Sequence, residues 1–222
     1  MNIRTEFVET AISVLAAKFA QPITDLTSRL VTHAYLKPDR VSATFRECGY
    51  SASAVILVAA MVESAVQRDK YIVATLAKQH MSQKSVADYL HEGLGYRRFR
   101  RVEELFETRN ALAHNHIWEI DYTWNASRRE HKESKVVAKS HRLKTKIPRA
   151  ARIPRTPIVR FNLQPSRIDR TDLIKALTVA MDALNFLAKH GTNPVNIARQ
   201  NVAFGRRRIQ FGDLAGEIQH EL

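Results

Sequence analysis

The sequence predicts a mainly α-helical fold with a basic β-hairpin inserted late in the chain. Three observations carry that expectation. Apolar residues make up 45% of the 222 positions, enough for a real core. Glycine and proline number only seven each, and the prolines concentrate in the second half, so the first half has few helix breakers. Apolar residues recur at helical spacing through most of the chain, but alternate with period two in two short stretches.

Taken in order, residues 3–19 place Phe7, Ala11, Val14 and Leu15 on one helical face, and Pro22 is expected to break that run. Residues 24–36 form a second helix with Leu26, Leu30, Val31 and Ala34 inward, ended by Lys37-Pro38. Residues 51–78 are the most apolar. Val55, Leu57, Val58, Met61, Val62, Ala65 and Val66 cover more than one face, which predicts a central helix buried on several sides. A short helix at 85–93 closes on Gly93 and Gly95, and a charge-rich helix runs from Tyr96 to His114. A last helix spans 172–190, capped by Thr171 or Asp169 and stopped by Gly191.

Between those two helices the period changes. Residues 117–124 and 158–163 alternate as strands and are expected to pair as an antiparallel ribbon. Residues 126–160 hold twelve Lys or Arg against Glu130 and Glu133, a net +10 of the chain's +13. Pro148, Pro154 and Pro157 favour extended chain there. The expected organisation is a helical body from 1–115 and 169–191, an inserted basic ribbon at 116–168, and a basic tail at 192–222 with Arg206, Arg207 and Arg208.

So uneven a positive charge points to a polyanionic partner, RNA or DNA first. The single Cys48 excludes an intramolecular disulfide and fits a reducing, cytoplasmic setting. No apolar run is expected to span a membrane, and Glu6 and Glu9 do not suit a targeting peptide. No metal or other cofactor is implied. His114 and His116 have no carboxylate or Cys at ligand spacing beside them.

The chemistry concentrates in the segment RNALAH, with Arg109, Asn110 and His114. Cleaving RNA without a metal requires removal of the 2′-OH proton, charge stabilisation on the phosphorane and protonation of the leaving 5′-oxygen. A histidine, with an ordinary pKa of about 6.5, serves as base or acid near neutrality. Arginine stays charged and its fork matches phosphate oxygens. An Asn amide orients phosphate or imidazole. At about 100° per residue, Asn110 and His114 lie about 40° apart, whereas Arg109 is about 140° from His114. A second subunit completing the groove resolves that offset. The alternative for Arg109 and His114 is complementing the helix macrodipole in a last turn.

RNALAH at the end of a helix resembles the motif of the HEPN superfamily: Arg, a polar residue, variable positions, then His. Arg109, Asn110 and His114 match those positions. The earlier helix ILVAAMVESAV resembles the superfamily's acidic core helix, with Glu63 in the matching place. The resemblance covers roughly 1–115 and 170–190 and implies a HEPN-like bundle of four or five helices. It further implies a metal-independent endoribonuclease working as a homodimer with a composite active site and leaving 2′,3′-cyclic phosphates. Many such proteins are toxins or phage-defence effectors, which implies an antitoxin or regulatory partner. Toxins silenced by nucleotidylation carry a tyrosine two residues after the histidine; His116 stands here, so that control is not expected. His116 is a candidate helper, or simply structural.

Arg97, Arg98, Arg100 and Arg101 flank Tyr96 and Phe99 just upstream, a composition suited to an RNA path or to a solvated helix face. Lys139, Arg142, Lys144, Lys146, Arg149 and Arg152 of the ribbon are expected to grip backbone phosphates. Two other readings stay open. One is a non-catalytic RNA- or DNA-binding module on the same scaffold, the other an adaptor contacting an acidic protein.

Overall fold

The computed structural model describes residues 15–34, 43–113, 118–125, 130–138, 155–192 and 195–220, with 118–125 and 130–138 described at the backbone. The described chain is mainly helical.

Helices α1 (Leu15–Lys18) and α2 (Ala20–His33) follow one another across a turn at Phe19. Pro22 does not separate them as expected. It sits in the first turn of α2, where a missing N–H breaks no helical hydrogen bond. Residues 3–14 of the first expected helix lie outside the described residues.

The centre of the fold is α3 (Phe45–Ala77), 33 residues and about 50 Å long. It begins six residues before the apolar run, because Thr44 caps it by accepting from the Glu47 amide (3.4 Å). Ala54, Val55, Val58, Met61 and Val62 are fully buried. Among the described residues, this helix alone is long and apolar enough by composition to cross a membrane, a length not anticipated from the sequence. The helices packed around it account for that apolarity.

The short α4 (Val86–Asp88), capped by Ser85, runs into a π-helical turn at Tyr89–Gly93. Next comes α5 (Phe99–Ala113). Tyr96 to Arg98 form a turn ahead of it, with the Tyr96 ring buried and its hydroxyl donating to Asp182 (2.8 Å).

The β-ribbon differs from expectation in its partner. β1 (Trp118–Asn125) pairs antiparallel with β2 (Glu130–Ala138), with a bulge between Asp121 and Tyr122. The alternating stretch at 158–163 instead returns to the helices. Among the described residues it forms the isolated bridge Arg155↔Asn162, and Phe161 and Leu163 are buried in the protein. The burial does not alternate as a half-covered strand would: Ile158 is exposed, whereas Phe161 through Gln164 are all buried.

Helix α6 (Arg170–His190) is capped by Asp169, which accepts from the amides of Thr171 (2.9 Å) and Asp172 (3.3 Å). Gly191 ends it in extended backbone, not a left-handed turn (φ −76°, ψ 166°). Glycine is needed for close approach instead. A Cβ there would lie 2.6 Å from the Leu187 carbonyl oxygen and 2.9 Å from Asp69 Oδ1.

Residues after 195, expected as a tail, pack into the core. β3 (Asn201–Phe204) and β4 (Arg207–Gln210) turn at Gly205 (φ 58°), and α7 (Leu214–Gln219) follows. Val202, Phe204, Phe211, Leu214 and Ile218 are buried. The Gln21 amide on α2 binds Ala203 like a neighbouring strand, donating to its carbonyl (3.0 Å) and accepting from its N–H (2.9 Å). The arginines 206–208 remain exposed at the hairpin turn.

Candidate active site on helices α3 and α5

The orientation of α5 follows from what it buries. Val102, Leu105, Thr108 and Ala111 face the core, and the Thr108 hydroxyl is satisfied by the Glu104 carbonyl (2.8 Å). Glu104 is also buried, at 5% exposure, and needs partners. It finds them in the returning segment: its two carboxylate oxygens accept from the amides of Ile158 (2.8 Å) and Val159 (2.7 Å). This carboxylate clamps the end of the basic insertion onto the helix that carries RNALAH.

With those residues inward, Asn110 points to solvent and Arg109 lies half-buried toward α3. Arg109 Nη2 donates to Glu63 Oε2 at 2.7 Å, and Nη1 to Asn110 Oδ1 at 3.1 Å. The guanidinium carbon lies 5.5 Å from the centre of the Phe106 ring. Three of the residues singled out in the sequence, Glu63, Arg109 and Asn110, therefore meet in space. Glu63 comes from 46 positions earlier. His114 and His116 lie outside the described residues.

Chemically, the arrangement holds one guanidinium in place from two sides. Glu63 offsets part of its charge but fixes its direction, and a guanidinium carries five N–H donors, more than these two contacts use. Asn110 accepts from Arg109 through its carbonyl oxygen, and its NH₂ is a donor group on an exposed side chain. Phe106 was not foreseen as part of the site. The i,i+3 spacing to Arg109 is the signal for it.

The four upstream arginines all lie exposed near the start of α5, and Arg98 pairs with Asp182 (3.2 Å). Arg100 and Arg109 are nine residues apart on α5, so roughly 13 Å of helix separates the basic end from the guanidinium site. Burial, with the hydrogen bond to Asp182 second, pushes the Tyr96 hydroxyl far above its usual range. The hydroxyl therefore stays a donor that holds Asp182 under the basic turn. Lys139, Arg142, Lys144, Lys146, Arg149 and Arg152 lie outside the described residues. Among the described residues, no group of three or more His, Cys, Asp or Glu side chains is placed to hold a metal ion.

Comparison of the chain with family models, with curated proteins and with solved structures finds no match.

Proposed function

We propose that this protein is a metal-independent endoribonuclease of HEPN type, built on a HEPN-like helical bundle. The observation that carries the reading is the Arg109–Glu63 pair at the C-terminal end of α5, with Asn110 beside it and His114 following in the chain. The resemblance had placed an arginine and an acidic residue on two separate helices; in the fold they lie 2.7 Å apart.

In the proposed reaction His114 takes the proton from a ribose 2′-OH. The oxygen attacks the adjacent phosphorus, and the P–O5′ bond breaks. The leaving 5′-oxygen takes a proton from the histidine of a second copy. Arg109 balances the charge that builds on the phosphorane, and Asn110 positions a phosphate oxygen. The products are a 2′,3′-cyclic phosphate and a 5′-hydroxyl. Two copies sharing one cleft supply a separate base and acid, the reason for proposing a homodimer with a composite site. A toxin or phage-defence role, under the restraint of an antitoxin or regulatory protein, belongs to this proposal.

A second reading has one observation in its favour. Arg109 is already engaged by Glu63, as in a structural ion pair, and a module that binds RNA without cutting it needs no more. Incubating the purified protein with total RNA in EDTA, beside His114→Ala and Arg109→Ala, separates the two. Cleavage by the parent alone, with cyclic-phosphate ends, supports the enzyme. Binding without cleavage supports the module, and equal cleavage by all three proteins points to a contaminating nuclease.

A further inference from the structure

Two exposed histidines lie flat on phenylalanine rings at one end of the protein. His91, in the π-helical turn, stacks on Phe99 with ring centres 4.1 Å apart and 13° between planes. His190, in the last turn of α6, stacks on Phe186 at 4.4 Å and 30°. Tyr96 ties the two together. Its ring packs on Phe186 (4.9 Å), and it stands three residues before Phe99, the first residue of α5. Both imidazoles are exposed although one face of each is covered by a phenyl ring, so their accessible surface lies on the outer faces and edges.

The surroundings are cationic. Arg97, Arg100 and Arg101 are exposed here, and the Arg100 guanidinium lies 6.0 Å from the Phe99 ring centre. Two nearby carboxylates already have partners: Asp182 holds Tyr96 and Arg98, and Glu92 pairs with Lys84 (2.8 Å). Glu103, one turn further along α5, is exposed as well. The π-helical turn also bears on function. Such turns are rare and concentrate at functional sites, because the extra residue redirects a side chain that an α-helix would aim elsewhere.

We infer that this face binds single-stranded RNA, with bases stacking on His91 and His190 and phosphates held by Arg97, Arg100 and Arg101. The choice of RNA rests on the endoribonuclease reading; the single-strand preference rests on the two rings. Flat rings with open faces take unstacked bases of any identity, and neighbouring arginines track the backbone. Bases inside a duplex are stacked on one another and offer these rings nothing. The face lies at the opposite end of α5 from Arg109, so it holds the strand some nucleotides away from the scissile bond.

The test is a binding titration on full-length protein carrying His114→Ala, which keeps the RNA intact. The probe is a fluorescent single-stranded RNA of about 12 nucleotides, compared with the same sequence as a duplex. The single strand is expected to bind more tightly. His91→Ala and His190→Ala should each weaken it by roughly 5- to 150-fold, while His91→Phe and His190→Phe retain binding. Replacing Arg97, Arg100 and Arg101 together by Gln should lower the salt slope of binding by about 2. Equal binding of duplex and single strand, unchanged affinity in both alanine variants, or no measurable binding overturns the inference. Thermal melts confirm that each exposed-site variant is folded. Cleavage plays no part in the readout: an inactive parent that binds in this way keeps the platform and loses the nuclease, and the reverse result does the opposite.

Discussion

Helix α3 carries two glutamates, each 2.7 Å from an arginine on another helix, and the two pairs serve opposite ends. Glu47 and Arg170 are sealed in the core, with side chains 1% and 5% exposed. Glu47 accepts from the backbone amide, Nε and Nη2 of Arg170, and Nη2 also donates to the Ala34 carbonyl. The pair thereby locks the start of α6 to the first turn of α3. Glu63 and Arg109 are 41% and 24% exposed, and their contact is a single short hydrogen bond. The first guanidinium is consumed by the fold. The second is aimed by it and left accessible. The same two residue types at the same distance thus become a brace or a tool according to how much water and how many further partners each retains.

Five changes test that contrast and its surroundings, taken in falling order of effect. Arg170→Ala should destabilise the protein by about 3–5 kcal/mol in denaturant unfolding, since Glu47 is left buried and uncompensated. Replacing both partners by Leu and Met should recover most of that loss. A mild effect of the single change would mean water reaches the pair and the contrast is drawn wrongly. Arg109→Ala should lower the rate of RNA cleavage by about 10²- to 10³-fold while costing under about 1 kcal/mol of stability. Comparable losses of folding and activity would turn Arg109 into a second brace.

Glu63→Gln should lie between them, keeping a hydrogen-bond acceptor while losing the charge. Stability is expected to move by less than about 1 kcal/mol. The rate should fall less than in Arg109→Ala, with the loss largest at low salt, where the Glu63 charge that places the guanidinium is least screened. Removing residues 126–157 tests the neighbouring charge in the same assay, because binding should then lose much of its salt dependence. An unchanged salt slope would detach the basic insertion from RNA.

The smallest effect concerns Asp172, two residues from Arg170 and fully buried. Burial raises its carboxyl pKa above the usual value, against the opposing pull of Lys175 and the Asn162 side chain. The sign follows from linkage. A raised pKa means the native state holds this proton more tightly than the unfolded chain. The contribution is therefore present below the ordinary carboxylate range and fades as pH rises through the native value. The stability difference between the parent and Asp172→Asn should be larger near about pH 4 than near about pH 7. A flat difference would show that the hydrogen bonds from Asn162 fully offset the burial.

Much of the helical body was legible from local pattern. The expected helices at 51–78, 96–114 and 172–190 return as α3, α5 and α6 with shifted ends, since caps such as Thr44 and Asp169 act outside the apolar stripe. The strand at 118–125 was read, but its partner was not. Residues 130–138 are rich in charge and hide the period, while 158–163 show a period that their burial does not follow, since Phe161, Asn162 and Leu163 are all buried. The C-terminal hairpin escaped notice for a related reason. Four-residue strands beside three consecutive arginines look like a tail until Val202, Phe204 and Phe211 are seen to fill the core.

By itself, the sequence determined the helical class, the concentration of charge at 126–160 and the spacing of Arg109 and Asn110 along one helix, because composition and spacing are local properties. Tertiary structure decided which glutamate became a brace and which a guide for arginine. It also decided that a buried Glu104 fastens the insertion to α5, and that the Tyr96 ring packs against Phe186, 90 positions later in the chain. Those outcomes depend on how α3, α5 and α6 cross, and a crossing is set by the packing of whole faces, which no short stretch of chain encodes.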